Sequence, residues 1–267
     1  MADPAPAGAW ADDAGAAEAL GLDPRALSPD QTLAVHVTGY YEPEIDGSPV
    51  RTDDHPVPVH ALPPMGIGAS RAEIDADDLL RGYEIAWLRD PVDRFFLQVQ
   101  GSGRIRFPDG GVLRVTYAGR NGHPYTSVGR LLVERGVFAP AAVSAAAVAD
   151  WLRADPARGR DAMAENASYV MFRPLHGIPP GAGPPGTAGV PLTPMRSVAV
   201  DPGTIPLGTA AWLEVDGSDG PVRTLCAAQD TGSAITGARV DLFFGTGAAA
   251  GARAGRLNHP GRLTLLR

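Results

Sequence analysis

Between Gln31 and Tyr41 apolar and polar residues alternate, with Leu33, Val35 and Val37 set against Thr32, His36 and Thr38. That two-residue period predicts a half-buried β-strand. Pro56-Val-Pro-Val-His60 alternates too, but its prolines cannot donate to a ladder, so an edge strand is predicted. At Ser70-Arg-Ala-Glu73 the spacing becomes that of a capping box, which predicts a helix over 71–81 stopped by Gly82. Short aromatic and branched runs then predict strands at 84–88, 95–99, 104–107 and 112–117, divided by turns such as Asp109-Gly110-Gly111. Helices follow over 127–135, with Val128, Leu131 and Leu132 on one face and Gly136 at the stop, and over 140–154.

Pro179-Pro-Gly-Ala-Gly-Pro-Pro-Gly186 marks a loop or linker. Beyond it, strands are predicted at 197–200, 211–215, 224–228, 239–244 and 262–266, with helical spacing only at 248–254. This tail has the pattern of a small β-barrel. The first thirty residues, rich in Ala, Asp and Pro, predict a loosely attached arm with one short helix around 14–20.

Hydrophobic residues make up 44% of the 267, enough for a packed core, and the 33 glycines and 26 prolines favour turns and short strands over a helical bundle. All 23 basic residues are arginine, yet the net charge is −7 and no basic block exists, so a nucleic-acid partner is not expected. The most apolar stretch, 139–152, is shorter than the roughly 20 residues a membrane span needs, so no transmembrane segment is predicted. Residues 1–17 lack the basic start, apolar run and cleavage pattern of a secretory signal.

The single cysteine, Cys226, excludes an internal disulfide and any multi-thiolate metal site, and reads as a buried structural thiol. Six scattered histidines without ligand spacing make zinc improbable, and neither a Walker loop nor G-x-S-x-G is present. No metal or other cofactor is expected.

Three acids sit at strand ends or within strands of the tail: Asp201, Asp230 and Asp241. Asp230-Thr-Gly-Ser233 is literally the aspartic protease signature, but that chemistry needs a second D-[ST]-G, which the chain lacks. Further upstream, Gln98-Val-Gln-Gly-Ser-Gly103 and Tyr117-Ala-Gly-Arg-Asn-Gly-His-Pro-Tyr125 combine amides, hydroxyls, glycines and phenols. Such sets suit a neutral, hydroxyl-rich ligand, and equally suit turns with core tyrosines.

Taken in order, Thr38-Gly-Tyr-Tyr-Glu-Pro43, Ser70-Arg-Ala-Glu-Ile74, Val99-Gln-Gly-Ser-Gly103, Tyr117-Ala-Gly-Arg-Asn-Gly-His123, Ser197-Val-Ala-Val-Asp201, Ala228-Gln-Asp-Thr-Gly232 and Arg253-Ala-Gly255 resemble one family. It is the membrane-bound lytic transglycosylase A type of peptidoglycan-cleaving enzyme, with a C-terminal 3D domain. The resemblance implies a mostly β fold: a double-psi β-barrel domain interrupted by a second β-rich (α+β) domain, with the substrate groove between them. Mapped here, residues 31–69 plus 174–267 would form the barrel and 70–173 the insert, after the arm at 1–30.

The family's single catalytic Asp matches Asp241, with Asp230 in a supporting role and Asp201 mostly structural. Such an acid must hold its proton near neutral pH, and Phe243, Phe244 and the charge of Asp230 are expected to raise its pKa. Thr38, Tyr40, Gln100, Gly101, Ser102 and Asn121 are the implied sugar contacts. The implied partner is the peptidoglycan glycan strand, the implied state a monomer, and the implied location the periplasm or cell envelope, although the family's lipoprotein signal and lipidated Cys are absent here. A non-catalytic glycan-binding module and a water-using hydrolase with Asp230 as second carboxylate are the alternatives.

Overall fold

The computed structural model describes residues 10–11, 13–140 and 142–267, which divide into two compact units. The first unit combines the chain up to Glu42 with Pro179–Arg267. It holds helix α1 (Ala14–Leu20) and the long strand β1 (Pro29–Glu42). The second unit, Pro43–Ile178, contains β2 (Glu44–Ser48), β3 (Val57–His60), α2 (Arg71–Asp77), β4 (Glu84–Leu88), α3 (Pro91–Gln100), β5 (Ser102–Arg106) and β6 (Val112–Arg120). It is completed by α4 (Val128–Glu134), α5 (Ala145–Ala154), α6 (Pro156–Ala164) and β7 (Val170–Leu175). The chain then returns to the first unit with β8 (Ser197–Ala199), β9 (Ala210–Gly217), β10 (Gly220–Asp230), β11 (Arg239–Thr246), α7 (Gly247–Ala254) and β12 (Asn258–Leu266).

The first unit is a closed barrel in the strand order β1-β11-β8-β10-β9-β12. Alternation decides which way each strand faces. Val35 and Val37 of β1 join Val240, Leu242 and Phe244 of β11 and Val198 and Val200 near β8 in one buried aliphatic cluster. Thr38, Tyr40, Asp241 and Phe243, one residue out of step, therefore lie on the opposite, outer face. Closure removes the open sheet edges that would otherwise present unpaired backbone groups. Helix α7 packs close against β1: a Cβ on Gly39 would sit 2.8 Å from the Ala254 backbone and the Phe244 ring. No larger residue fits there without displacing the helix.

The arm expected to be loose is docked wherever it is described. Trp10 and Ala16 are buried with Ala210, Trp212, Leu225 and Leu266, and the Trp10 indole donates to the Leu27 carbonyl at 3.2 Å. Asp13 accepts from both terminal nitrogens of Arg196 and from the Leu225 amide. An indole and a paired carboxylate anchor a stretch whose composition alone reads as solvated; residues 1–9 and 12 lie outside the described residues.

The second unit is a six-stranded sheet in the order β3-β4-β2-β5-β6-β7, with helices packed against it. As a contact unit it starts at Pro43, ahead of the insert expected from Ser70. β2 pairs with β4 and β5, and β3 with β4, so residues 43–69 belong to this unit rather than to the barrel. The reason is burial: Ile45, Val57 and Val59 complete a core with Leu88, Leu97, Ile105, Val115 and Phe172.

The strand expected at 95–99 is instead the C-terminal half of α3. Asp90 caps it by accepting from the Val92 and Asp93 amides, Pro91 opens the first turn, and Gly101 ends it at φ 77°. Val92 and Phe95 pack on Val128, Leu132, Val148 and Leu152, a three-residue spacing hidden among aromatic residues that also suit a strand. The helix expected over 140–154 starts at Ala145, and Asp155 both ends it and caps a separate helix, α6. The helix expected over 71–81 keeps its Ser70–Glu73 capping box but stops at Asp77, with Asp78 left-handed at φ 50°.

Candidate active site

Across four neighbouring barrel strands one row of residues is held in register. Thr38 of β1 pairs with Asp241 of β11, Asp241 with Ala199 of β8, and Ala199 with Asp230 of β10. Plain alternation would not place Asp230 in this row. Cys226 and Ala228, its even-numbered predecessors, point into the barrel. A β-bulge between Ala228 and Asp230 advances β10 by two residues while β8 advances by one, which turns Asp230 to the outer face, in line with Asp241 across β8.

Asp241 accepts a hydrogen bond from the Thr38 hydroxyl at 2.7 Å, and that hydroxyl accepts from Arg239 Nη2 at 3.3 Å. Burial pushes the Asp241 pKa up to about 6; the Asp230 charge pushes the same way, and Thr38 and Arg239 hold it back. Desolvation disfavours the carboxylate, and here it outweighs the donors that would stabilise it. The aromatic neighbours expected to restrict water are partly displaced from that role: Phe243 shares the outer face and stacks with Tyr40 at 5.3 Å, whereas Phe244 points into the barrel core.

Asp230 is bonded on both oxygens. Oδ2 accepts from the Tyr40 phenol at 3.0 Å, and Oδ1 accepts from the Thr187 amide and hydroxyl, each at 3.0 Å. Tyr40 is held well above the ordinary phenol range by burial and by the charges of Asp230 and Asp241, so it stays a neutral donor. Thr187 escapes sequence reasoning because it lies in the Gly/Pro-rich stretch that reads as a linker. The usable signal is Gly186, where a Cβ would come within 2.4 Å of the Gln229 carbonyl, so only glycine lets the loop lie against the end of β10. Asp201 stands outside this group: it accepts from the Gly237 and Gly203 amides at 2.7 and 2.9 Å, which lower its pKa. It builds a turn.

Four of the implied sugar contacts belong to the second unit. Gln100 is the last residue of α3, Gly101 its left-handed cap, and Ser102 opens β5, buried opposite Thr116. Asn121 does not match a sugar contact. It is 4% exposed; its Nδ2 donates to the Ala69 and Ala167 carbonyls at 2.8 Å, and its Oδ1 accepts from the Tyr169 amide at 2.9 Å. The amide ties three backbone segments together, and with both its donors spent and the side chain buried it is built to hold backbone.

Among the described residues no group of three or more His, Cys, Asp or Glu side chains is placed to hold a metal ion. Cys226 is buried, donates to the Ala211 carbonyl at 3.3 Å, and has its pKa pushed up to about 12 by burial, so it is no nucleophile. No helix among the described residues is long and apolar enough to cross a membrane.

Comparison with known proteins places these features in context. Residues 68–173 match the family model of the MltA specific insert domain, and residues 196–267 that of the 3D domain. The membrane-bound lytic murein transglycosylase A of Escherichia coli K12 is 37% identical over 243 residues, covering 87% of this chain and 66% of the relative. Its Vibrio cholerae counterpart is 37% identical over 245 residues, again with 66% of the relative covered. The chain thus spans 66% of the length of these curated relatives. Among solved structures, a membrane-bound lytic murein transglycosylase from Agrobacterium tumefaciens superposes with a TM-score of 0.80 at 33% identity, covering 88% of this chain and 75% of that one. Escherichia coli MltA with bound chitohexaose superposes at 0.79 and 36% identity, covering 88% and 71%.

Proposed function

Because the chain belongs to the membrane-bound lytic murein transglycosylase A family, we propose that it cleaves the β-1,4 bond between N-acetylmuramic acid and N-acetylglucosamine, with Asp241 as sole acid and base. Asp241, in the protonated form that its raised pKa favours, gives its proton to the glycosidic oxygen as the bond to C1 of the muramic ring breaks. The resulting carboxylate then takes the proton of that ring's C6 hydroxyl. The C6 oxygen attacks C1 and closes a 1,6-anhydro ring, so no water enters and the catalyst ends as it began, protonated. The observation that carries this reading is the raised pKa of a carboxyl held by Thr38 on the outer barrel face.

Asp230 orients the site. Both its oxygens are occupied by Tyr40 and Thr187, which suits a fixed negative charge better than a base that must bind and activate water, and so favours the lyase over an inverting hydrolase. A neutral, hydroxyl-rich glycan suits the Thr38 hydroxyl on the outer barrel face, and the chitohexaose complex of the E. coli relative supports an oligosaccharide ligand. The cell envelope is the proposed location, since murein lies there and the relatives are named membrane-bound.

The test is mass spectrometry of soluble products after incubation with purified sacculi. Anhydro-ended muropeptides, lighter by one water than hydrolysis products and absent with Asp241→Asn, are expected. Reducing-ended products would make the enzyme a hydrolase, and retention on sacculi without any product would leave a binding module.

A further inference from the structure

The second unit contains a cavity of about 760 Å³ whose lining takes no part in the chemistry above. At its base lie His60, Arg71 and Arg94, exposed by only 4%, 3% and 7%. Arg71 donates to the backbone carbonyls of Asn166 and Ser168 at 3.0 and 2.7 Å, and its guanidinium lies over the Phe95 and Tyr169 rings. Arg94 Nη2 meets Asp75 at 2.7 Å. Two buried guanidiniums thus share one bonded carboxylate, and the other acids lining the cavity, exposed Asp78 and Asp161 and half-buried Glu84, bond to neither of them.

Hydrogen bonding is also incomplete there. Arg94 Nε and His60 Nε2 are buried with no partner. His60 Nδ1 is bonded to the Tyr169 hydroxyl at 2.9 Å, and burial together with Arg94 pushes its pKa down to about 4, so the ring is neutral. The rim is different in kind: Trp87, with the Arg51 guanidinium 5.9 Å above its ring, and Pro58 supply flat apolar surface.

A buried guanidinium that makes no ion pair, as at Arg71, and buried donors without acceptors, as at Arg94 Nε, are both costly, and one group answers both needs. A carboxylate supplies negative charge and acceptor oxygens matched to a guanidinium fork. We propose that this cavity binds a carboxylate carried on a small apolar group, with Arg71 and Arg94 holding the anion and Trp87 packing on the apolar part. Its source is either a free organic acid or the carboxylates of the short peptides attached to murein glycan; the second rests on the proposed function, the first does not.

The experiment titrates the intact protein calorimetrically with benzoate and, as its uncharged twin, benzamide. Saturable benzoate binding is expected, with benzamide at least tenfold weaker. Arg94→Gln should weaken benzoate at least tenfold. The rim variant Arg51→Ala/Trp87→Ala, which alters partly exposed positions and so retains the fold, should weaken it severalfold even if Arg94→Gln unfolds. Absence of saturable benzoate binding, equal binding of benzamide, or a rim variant indistinguishable from wild type would overturn the proposal. Displacement of benzoate by peptide-bearing but not peptide-free glycan fragments assigns the site to murein peptides; displacement by neither assigns it to free acids. No arm depends on turnover, so failure of the lytic assay leaves this result intact.

Discussion

The barrel wall and the insert handle polar groups in opposite ways. The barrel keeps an aliphatic interior and sets Asp241 and Asp230 on the outer face, where a bulge and a register row bring them into line across β8. The insert takes Arg71, Arg94, His60 and Asn121 inside. Burial therefore does not mark function by itself. On the barrel it perturbs the Asp241 carboxyl, whereas in the second unit it holds Arg71 and Asn121 on backbone carbonyls and amides.

The largest expected effect tests the barrel half of that contrast. Asp241→Asn should lower muropeptide release by about 10³-fold, the scale of a lost general acid and base. It should also stabilise the fold at neutral pH. The carboxyl's pKa is about 6 in the folded chain against an ordinary 3.8. The folded state therefore holds its proton more tightly, and stability is lost as pH rises from about 4 through about 6. An amide at 241 escapes that loss, which is worth on the order of 3 kcal/mol above pH 7 and nothing below pH 4. Urea melts at pH 3.5 and pH 8 measure the difference; an equal gain at both would refute the raised pKa. The same proton requires kcat/KM of the wild type to fall as pH rises above about 6.

Asn121→Ala tests the insert half. Its three hydrogen bonds end on buried backbone, so removal should cost about 3 kcal/mol in a denaturant melt while KM of the folded enzyme stays unchanged. A raised KM with unchanged stability would return this residue to the substrate. Asp13→Ala is next, at about 2 kcal/mol, because it strands a mostly buried Arg196 and the Leu225 amide. A negligible loss would mean that the docking of residues 13–28 contributes little to the fold.

The barrel was legible in the sequence because strict alternation on β1 and β11 and Gly-rich turns between strands leave few other foldings for those segments. The insert was less so. Phe95, Phe96 and Leu97 suit strand and helix alike, and only the Asp90 and Pro91 cap in front of them decides for the helix. Residues 43–69 carried no signal of their allegiance, since β2 and β3 become strands only by pairing with β4 and β5 far along the chain. At the site, the acids were legible by residue type. What was not legible is the bulge that aims Asp230 and the loop that brings Thr187 to it, because both depend on backbone register that side-chain chemistry does not encode.

The smallest effect distinguishes two roles for one side chain. Tyr40→Phe keeps the ring against Phe243 and removes only the hydroxyl that donates to Asp230. If Tyr40 positions the acids, Asp230 loses a donor that tempers its charge, and its pressure on Asp241 grows; Asp230 keeps its place through Thr187. The expected outcome is a fall in kcat of about tenfold, the order of one hydrogen bond to a charged group, with KM unchanged and the alkaline limb of the pH–rate profile moved upward. If Tyr40 instead holds a sugar hydroxyl, KM rises and the limb stays where it was. The direction in which the limb moves therefore decides whether this edge of the site is built for the acid or for the glycan.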